Sequence, residues 1–404
     1  MYVARLHLTD FRNYADAEVT VTPGVIALTG RNGQGKTNLV EGLDYLATLG
    51  SHRVATDAPL VRAGLSQAVV RAEVVASTND PRRLLLEAEI NLGRPNRARV
   101  NRVPQRSPRD LLGGLRTVVF SPTDLAIVQG DPAERRAFLD TLSVARWPRL
   151  AGVRLDYDRV LRQRNALLKS ADGRRLDPET AGNLDVWTDQ LAGLGAQLMA
   201  ARLDTTTRLA PHLERAYANL DSGDARPRAV YQSRVDVDDL DVGDPERPVF
   251  DTVPVLTDRL RARLEERRDD ELRRGVSLVG PHRDDLALSL HDLPARGYAS
   301  HGESWSLALS LRLASFELLR TEGAVPVLIL DDVFAELDAE RRARLTAALG
   351  AAEQVWVTAA VADEVPRGLA DQWFTVSAGS INHLTTSQDA VSLGASGRAG
   401  DTDG

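Results

Sequence analysis

Eight residues near the start, Gly30-Arg31-Asn32-Gly33-Gln34-Gly35-Lys36-Thr37, follow the spacing G-x-x-x-x-G-K-[ST], and the chemistry they serve is holding a polyphosphate. Glycines let the backbone curl until several N–H groups face one phosphate, and a following helix points its positive end at the same place. Lys36 supplies a compact charge for the β and γ oxygens, and the Thr37 hydroxyl is a ligand for Mg²⁺. An apolar lead-in (Val25-Ile26-Ala27-Leu28-Thr29) and a helical lead-out from Asn38 set this apart from a chance glycine-rich turn. The expected nucleotide is ATP.

A second acidic group lies at the end of Pro326-Val327-Leu328-Ile329-Leu330-Asp331-Asp332. A buried strand ending in a carboxylate delivers it to the carboxyl edge of the sheet, where open α/β sheets bind ligands. Asp331 is expected to hold Mg²⁺, directly or through water, and Asp332 to orient or deprotonate the attacking water. Lys36 and Asp331 are 331 − 36 = 295 residues apart, so one catalytic core is split around an insertion. Upstream, Ser300-His301-Gly302-Glu303 leads into a helix; alone it reads as a cap, but a serine, a glycine and a helix N-terminus also make an anion-docking surface.

These groups need a scaffold. Alternation predicts strands at Val3–Leu8, Glu18–Val21, Val25–Thr29, Ala68–Ala76, Arg83–Asn91 and Leu115–Phe120. Helices are expected from Thr37 to about Leu49 and over Pro132–Val144, where Pro132 suits a first turn. From about 148 to 273 the texture changes. Leu184, Trp187, Leu191, Leu194 and Leu198 recur at helical spacing, 221–254 is polar, and Thr257–Arg274 is a charged helix. Strands return at Val276–Val279, Leu286–Leu290, Val327–Leu330 and Val355–Val357, with an amphipathic helix over Ser304–Arg320. The expected domains are a core at 1–147 carrying the phosphate loop, a helical insertion at 148–274, a core half at 275–386, and a disordered tail at 387–404.

The absence of cysteine excludes disulfides and thiolate metal sites and fits a reducing cytoplasm. No apolar run reaches the roughly 18 residues of a membrane span, and the N-terminus lacks the core of a signal peptide. A net charge of −7 argues against a blanket nucleic-acid binder, so charge distribution matters more. Residues 94–116 hold seven arginines against Asp110 alone, and 146–175 hold nine basic residues against three acidic ones. Solvated faces are one reading. The other is a DNA surface, with Arg97, Arg99 and Arg102 as contacts. The clusters lack interleaved aromatics, which favours contact with the nucleic-acid backbone over base stacking. Of 50 basic residues only Lys36 and Lys169 are lysine, so one of the two sits where a point charge is required.

Taken together, Leu8–Tyr14, Gly30–Thr37, Phe120–Leu125, Arg135–Asp140, Gly280-Pro281-His282-Arg283-Asp284-Asp285, Ser300–Ser304 and Leu330–Asp338 resemble the RecF family of bacterial recombination mediators, relatives of SMC-type ATPases. The resemblance covers nearly the whole chain apart from the tail. It implies an α/β fold, an ABC/SMC-type P-loop ATPase head with a helical insertion. Arg12 and Asn13 should then lie near the nucleotide. Ser300, Gly302 and Glu303, 31 residues ahead of Asp331 (331 − 300), stand where ABC ATPases carry the signature that caps the γ-phosphate of a partner subunit. Glu336-Leu337-Asp338 would cross the dimer seam, and Gln129 resembles the glutamine that senses γ-phosphate and Mg²⁺.

The implied function is ATP-dependent DNA binding in recombinational repair and replication. An ATP-gated homodimer would act on gapped or single-stranded/duplex junction DNA. It would work with mediator proteins, aid RecA loading and the SOS response, and turn over ATP weakly, as a DNA-stimulated switch. The alternative is an ABC transporter's ATPase subunit. Three departures from the wider ABC pattern favour a switch over a motor. Asp332 replaces a glutamate, Glu303 a glutamine, and Thr358 stands where many ABC ATPases carry a histidine.

Overall fold

The structure, a computed structural model, describes residues 1–171, 177–221, 224–240, 242–243 and 247–384. The expected tail at 387–404, and Arg174 and Arg175 of the second basic cluster, lie outside the described residues. The chain forms two compact units: 1–124 with 218–222 and 309 onward, and 125–217 with 223–308. The expected boundaries at 147/148 and 274/275 both fall inside the second unit. The reason is local. The helix Pro132–Arg146 packs on the strand Asp285–Leu290, and Arg135 grips Asp285 through two bonds of 2.8 Å.

The first unit carries two six-stranded sheets. One is antiparallel, running in space as Tyr14–Thr20, Tyr2–Phe11, Gln67–Ser77, Asp80–Asn91, Arg97–Val100, Val103–Pro104. The other runs Ser380–Leu384, Gln372–Ser377, Gly24–Thr29, Gln354–Ala359, Val327–Asp331, Thr117–Phe120; every pair is parallel except the first. Every residue of Val327–Asp331 and Gln354–Ala359 is buried, as parallel strands covered on both faces must be. The helix Lys36–Thr48 packs on strands of both sheets. Leu39, Leu43 and Leu46 join Phe11, Ile26, Leu28, Ile90 and Trp356 in one core.

The second unit holds the helices Pro132–Arg146, Leu150–Ser170, Val253–Glu266 and Arg268–Arg274, most of the helix Pro178–Leu220, and a small antiparallel sheet. The expected strand at Val276–Val279 is a buried loop instead. Side chains take the bonds a ladder would have made. Asn165 accepts from the Ser277 N–H, Glu271 accepts from the Leu278 N–H, and Arg283 and Arg234 donate to the carbonyls of Ser277 and Leu278. The stretch read as polar connector contains a strand, Arg228–Gln232, paired to Asp285–Leu290. The single charged helix expected over Thr257–Arg274 is two. No helix among the described residues is long and apolar enough to cross a membrane.

Candidate nucleotide site

The loop after Gly24–Thr29 is shaped by two glycines that nothing else could replace. Gly35 has φ +118°, and a Cβ there would sit 2.7 Å from Asn13 Nδ2; Gly30 has φ +151°, and its Cβ would sit 2.3 Å from the Val376 carbonyl oxygen. Lys36 opens the helix and folds back over the loop, donating to the Gly30 carbonyl at 2.6 Å, with Asn32 Oδ1 at 3.4 Å. Burial lowers its pKa, against the pull of Asp332, Asp331 and Glu364. A buried cation held only by neutral oxygens is poised to exchange them for an anion.

Asp331 ends its strand beside this loop. The Thr37 hydroxyl donates to Asp331 Oδ1 at 2.9 Å, joining residues 294 positions apart in sequence. The Thr358 hydroxyl donates to the same oxygen at 2.7 Å and accepts from the Asp332 N–H at 2.9 Å. Burial raises the Asp331 pKa and the adjacent Asp332 charge adds to it, while the two hydroxyl bonds oppose. The Asp332 backbone lies in the left-handed region, φ +54°.

Behind the loop, Asn13 Nδ2 donates to the Gln34 carbonyl at 3.0 Å, and the Tyr14 hydroxyl donates to the Gly35 carbonyl at 2.9 Å. The Gln34 side chain accepts from the Ala378 N–H at 2.7 Å, so it braces the loop against the turn between the last two strands. Arg12 makes a two-pronged contact with the buried Glu41, at 2.6 and 2.8 Å. Sequence reasoning named Arg12 and Asn13 but not Tyr14, Glu41 or Glu364. Glu41 carries a readable signal, a carboxylate set among Leu39, Val40 and Leu43 on the buried side of its helix. Glu364 carries none, because only folding brings it near Lys36.

Asp338 also lies in this unit. It caps the helix Ala339–Ala348, accepting from the Arg341 N–H at 2.8 Å. In the second unit, the Ser300 N–H donates to Glu303 Oε2 at 2.8 Å and the Glu303 N–H donates to Ser300 Oγ at 3.3 Å, a reciprocal cap at the start of the helix His301–Thr321. That cap holds the Glu303 carboxyl below its usual range and leaves Ser300 exposed, with Gly302 in the first turn. Gln129 ends the short helix Leu125–Gln129 and is exposed.

Residues 2–379 match the family model of the RecF/RecN/SMC N-terminal domain. The DNA replication and repair protein RecF of Cutibacterium acnes is 54% identical over 387 residues, covering 94% of this chain and 98% of its own. The chain belongs to the RecF family. A solved structure of the recombination mediator protein RecF-ATP in the RecFOR pathway superposes with a TM-score of 0.83 at 25% identity, covering 95% of this chain and 98% of that one. The Smc head of Pyrococcus furiosus, solved with an extended coiled coil and bound to a domain of ScpA, shares the fold at a TM-score of 0.52 and 15% identity, over 98% and 99% of the two chains. The fold is thus the α/β ATPase head of RecF and SMC proteins, and the transporter-subunit reading is not favoured.

The RecF-family chain spends some of its arginines internally, which takes Arg146 and Arg164 out of the second basic cluster as free positive surface, while Arg154, Arg159, Arg162 and Lys169 of that cluster are exposed. The side chains of Arg146 and Arg164 are each 1% exposed, paired with Asp204 at 2.8 Å and Glu271 at 2.7 Å. In the first cluster Arg99 lies opposite Glu87 on the neighbouring strand and forms an ion pair with it, and Arg71 joins the same carboxylate. Arg97 and Arg102 are exposed, Arg102 at a hairpin tip with φ +68°.

Proposed function

We propose that this chain is an ATP-dependent DNA-binding protein of recombinational repair and replication. The observation that carries the reading is the convergence of Lys36, Thr37, Asp331 and Asp332 at one sheet edge, from segments 294 residues apart, in a chain so similar to RecF proteins. In this reading the N–H groups of 30–37 and Lys36 bind the phosphates.

Mg²⁺ fits what is present. Among the described residues no cluster of three or more His, Asp or Glu exists to hold a metal, but Thr37 and Asp331 offer two oxygens 2.9 Å apart. Mg²⁺ is commonly held by one or two such ligands, its other positions going to water and phosphate. Bound there, the ion would neutralise charge on the phosphates. Asp332 orients or deprotonates the attacking water, and Gln129 senses the γ-phosphate and Mg²⁺.

Ser300, Gly302, Glu303 and Asp338 serve the nucleotide of a second copy in a two-fold dimer. ATP closes that dimer on gapped or junction DNA, where it aids RecA loading through mediator proteins and supports the SOS response in the cytoplasm. Exposed arginines, Arg97 and Arg102 foremost, contact phosphates without reading sequence.

The test is DNA affinity against salt, with and without ATP, on gapped, single-stranded and duplex DNA. The expected result is tighter binding with ATP and a log–log salt slope near −0.9 per phosphate neutralised on duplex. An affinity indifferent to both ATP and salt overturns the reading.

A further inference from the structure

We infer that Thr358 is a positioning residue for ATP hydrolysis, whose single hydroxyl holds the adjacent carboxylates Asp331 and Asp332 in two different orientations. The inference rests on the reading of this corner as an ATPase site and extends it to the threonine on the strand beside Asp331.

Thr358 is fully buried, on the strand inserted between the phosphate-loop strand and the one ending in Asp331. The register sets it beside Asp331 on one side and Leu28 on the other. A hydroxyl has one proton and two lone pairs. Here the oxygen accepts the Asp332 N–H at 2.9 Å, and the proton goes to Asp331 Oδ1 at 2.7 Å; Asp332 Oδ1, at 3.4 Å, is too far to compete.

Two consequences follow. Thr37 donates to that same Oδ1, so both hydroxyls turn the Asp331 carboxylate the same way. The bond to the Asp332 N–H also braces a left-handed backbone, φ +54°, which most side chains disfavour and aspartate tolerates better than most. Without the hydroxyl, Asp331 loses one of its two bracing bonds and the Asp332 turn loses its brace. The distinction between a carboxylate for the metal and a carboxylate for the water then blurs.

The experiment compares Thr358→Val, which keeps the shape and deletes the hydroxyl, with Thr358→Ser, which keeps the hydroxyl. ATP affinity is measured by calorimetry in EDTA, and kcat and KM with Mg²⁺ and DNA. The valine variant should bind ATP within twofold of wild type in EDTA, with kcat down at least tenfold and KM within threefold. Serine should restore kcat to within threefold.

In an Asp332→Asn background the valine substitution should change kcat less than threefold, since it acts through a group already disabled. The inference is overturned by a valine variant with wild-type kcat, by affinity falling in parallel with kcat, by serine as inactive as valine, or by full additivity with Asp332→Asn. Should valine fail to fold, Thr358→Ala against Thr358→Ser carries the same contrast. A wild type that binds no ATP overturns the reading of the site itself.

Discussion

Two corners of this molecule are rich in charge and differ in what the charges face. At Gly280–Asp285 almost every polar group is used up internally. Arg202 donates to Asp140 at 2.8 Å and to the Pro281 carbonyl at 2.6 Å, Asp284 accepts from Tyr231 and Ser233, and Arg135 holds Asp285. At Gly30–Thr37 and Asp331-Asp332 the same kinds of group are held in place but not consumed. Lys36 rests on neutral oxygens, and the carboxylates of Asp331 and Asp332 sit together with no cation bonded to either among the described residues. A satisfied network fastens one packing arrangement, whereas an under-satisfied one waits for a ligand. Gly280–Asp285, one of the runs that carry the family resemblance, is therefore held as a satisfied network, while the phosphate loop keeps its polar groups open to a ligand.

That contrast breaks most readily with two substitutions. Lys36→Met should lower ATP affinity by at least a thousandfold, about 4 kcal/mol, with little change in thermal stability. Arg202→Met should do the reverse. It leaves the buried Asp140 with only the longer ion pair to Arg154, at 3.7 Å, and should cost about 3 kcal/mol of unfolding free energy while leaving ATP affinity per folded molecule intact. Calorimetric titration beside denaturant melts tests both, and either variant showing the other's pattern would erase the distinction.

A pH titration sharpens it further. His282 is pushed down to about 4 because burial disfavours its charged form, and as a neutral ring it accepts from the Tyr157 hydroxyl at 2.6 Å. Its folded pKa lies below the unfolded value of about 6.5, so it contributes stability above that pH. The contribution is lost as pH falls from 6.5 through 4, about 3 kcal/mol in all. His282→Gln should flatten the acid limb of the stability curve; an unchanged limb assigns the acid sensitivity elsewhere.

At the chemical corner, Asp332→Asn should leave ATP binding within about threefold and lower kcat by about a hundredfold, roughly the loss expected for a missing base. Turnover at the wild-type rate moves that role to another residue. The smallest effect concerns DNA. Arg102→Gln should reduce the salt slope by about one phosphate's worth, and Arg99→Gln by less, because Glu87 already neutralises much of that charge. Equal losses for the two would show that the ion pair opens on DNA.

The phosphate loop, the Asp331-Asp332 strand end and the split of the core were legible because each is a local pattern. A glycine spacing demands a curled backbone, and a wholly apolar run ending in carboxylates demands a buried strand. The hairpin Gln372–Ser377 and Ser380–Leu384 was missed although Ala378 and Gly379 take the positive φ of a tight turn, at +47° and +79°. Val276–Val279 misled for the opposite reason: an apolar run signals burial, and burial alone does not say whether strands or side chains will satisfy the backbone.

By itself, then, the sequence determined which groups can meet a phosphate and a metal, because residue type and short spacing dictate that chemistry. Only the tertiary structure decided which charges remain available for it. Arg99, Arg146 and Arg164 are as cationic in the sequence as Arg97 and Arg102. Their charge is offset by Glu87, Asp204 and Glu271, partners 12, 58 and 107 residues away along the chain (99 − 87, 204 − 146, 271 − 164), and Arg146 and Arg164 are buried as well. Pairing and burial depend on distance through space, and no spacing along the chain encodes it.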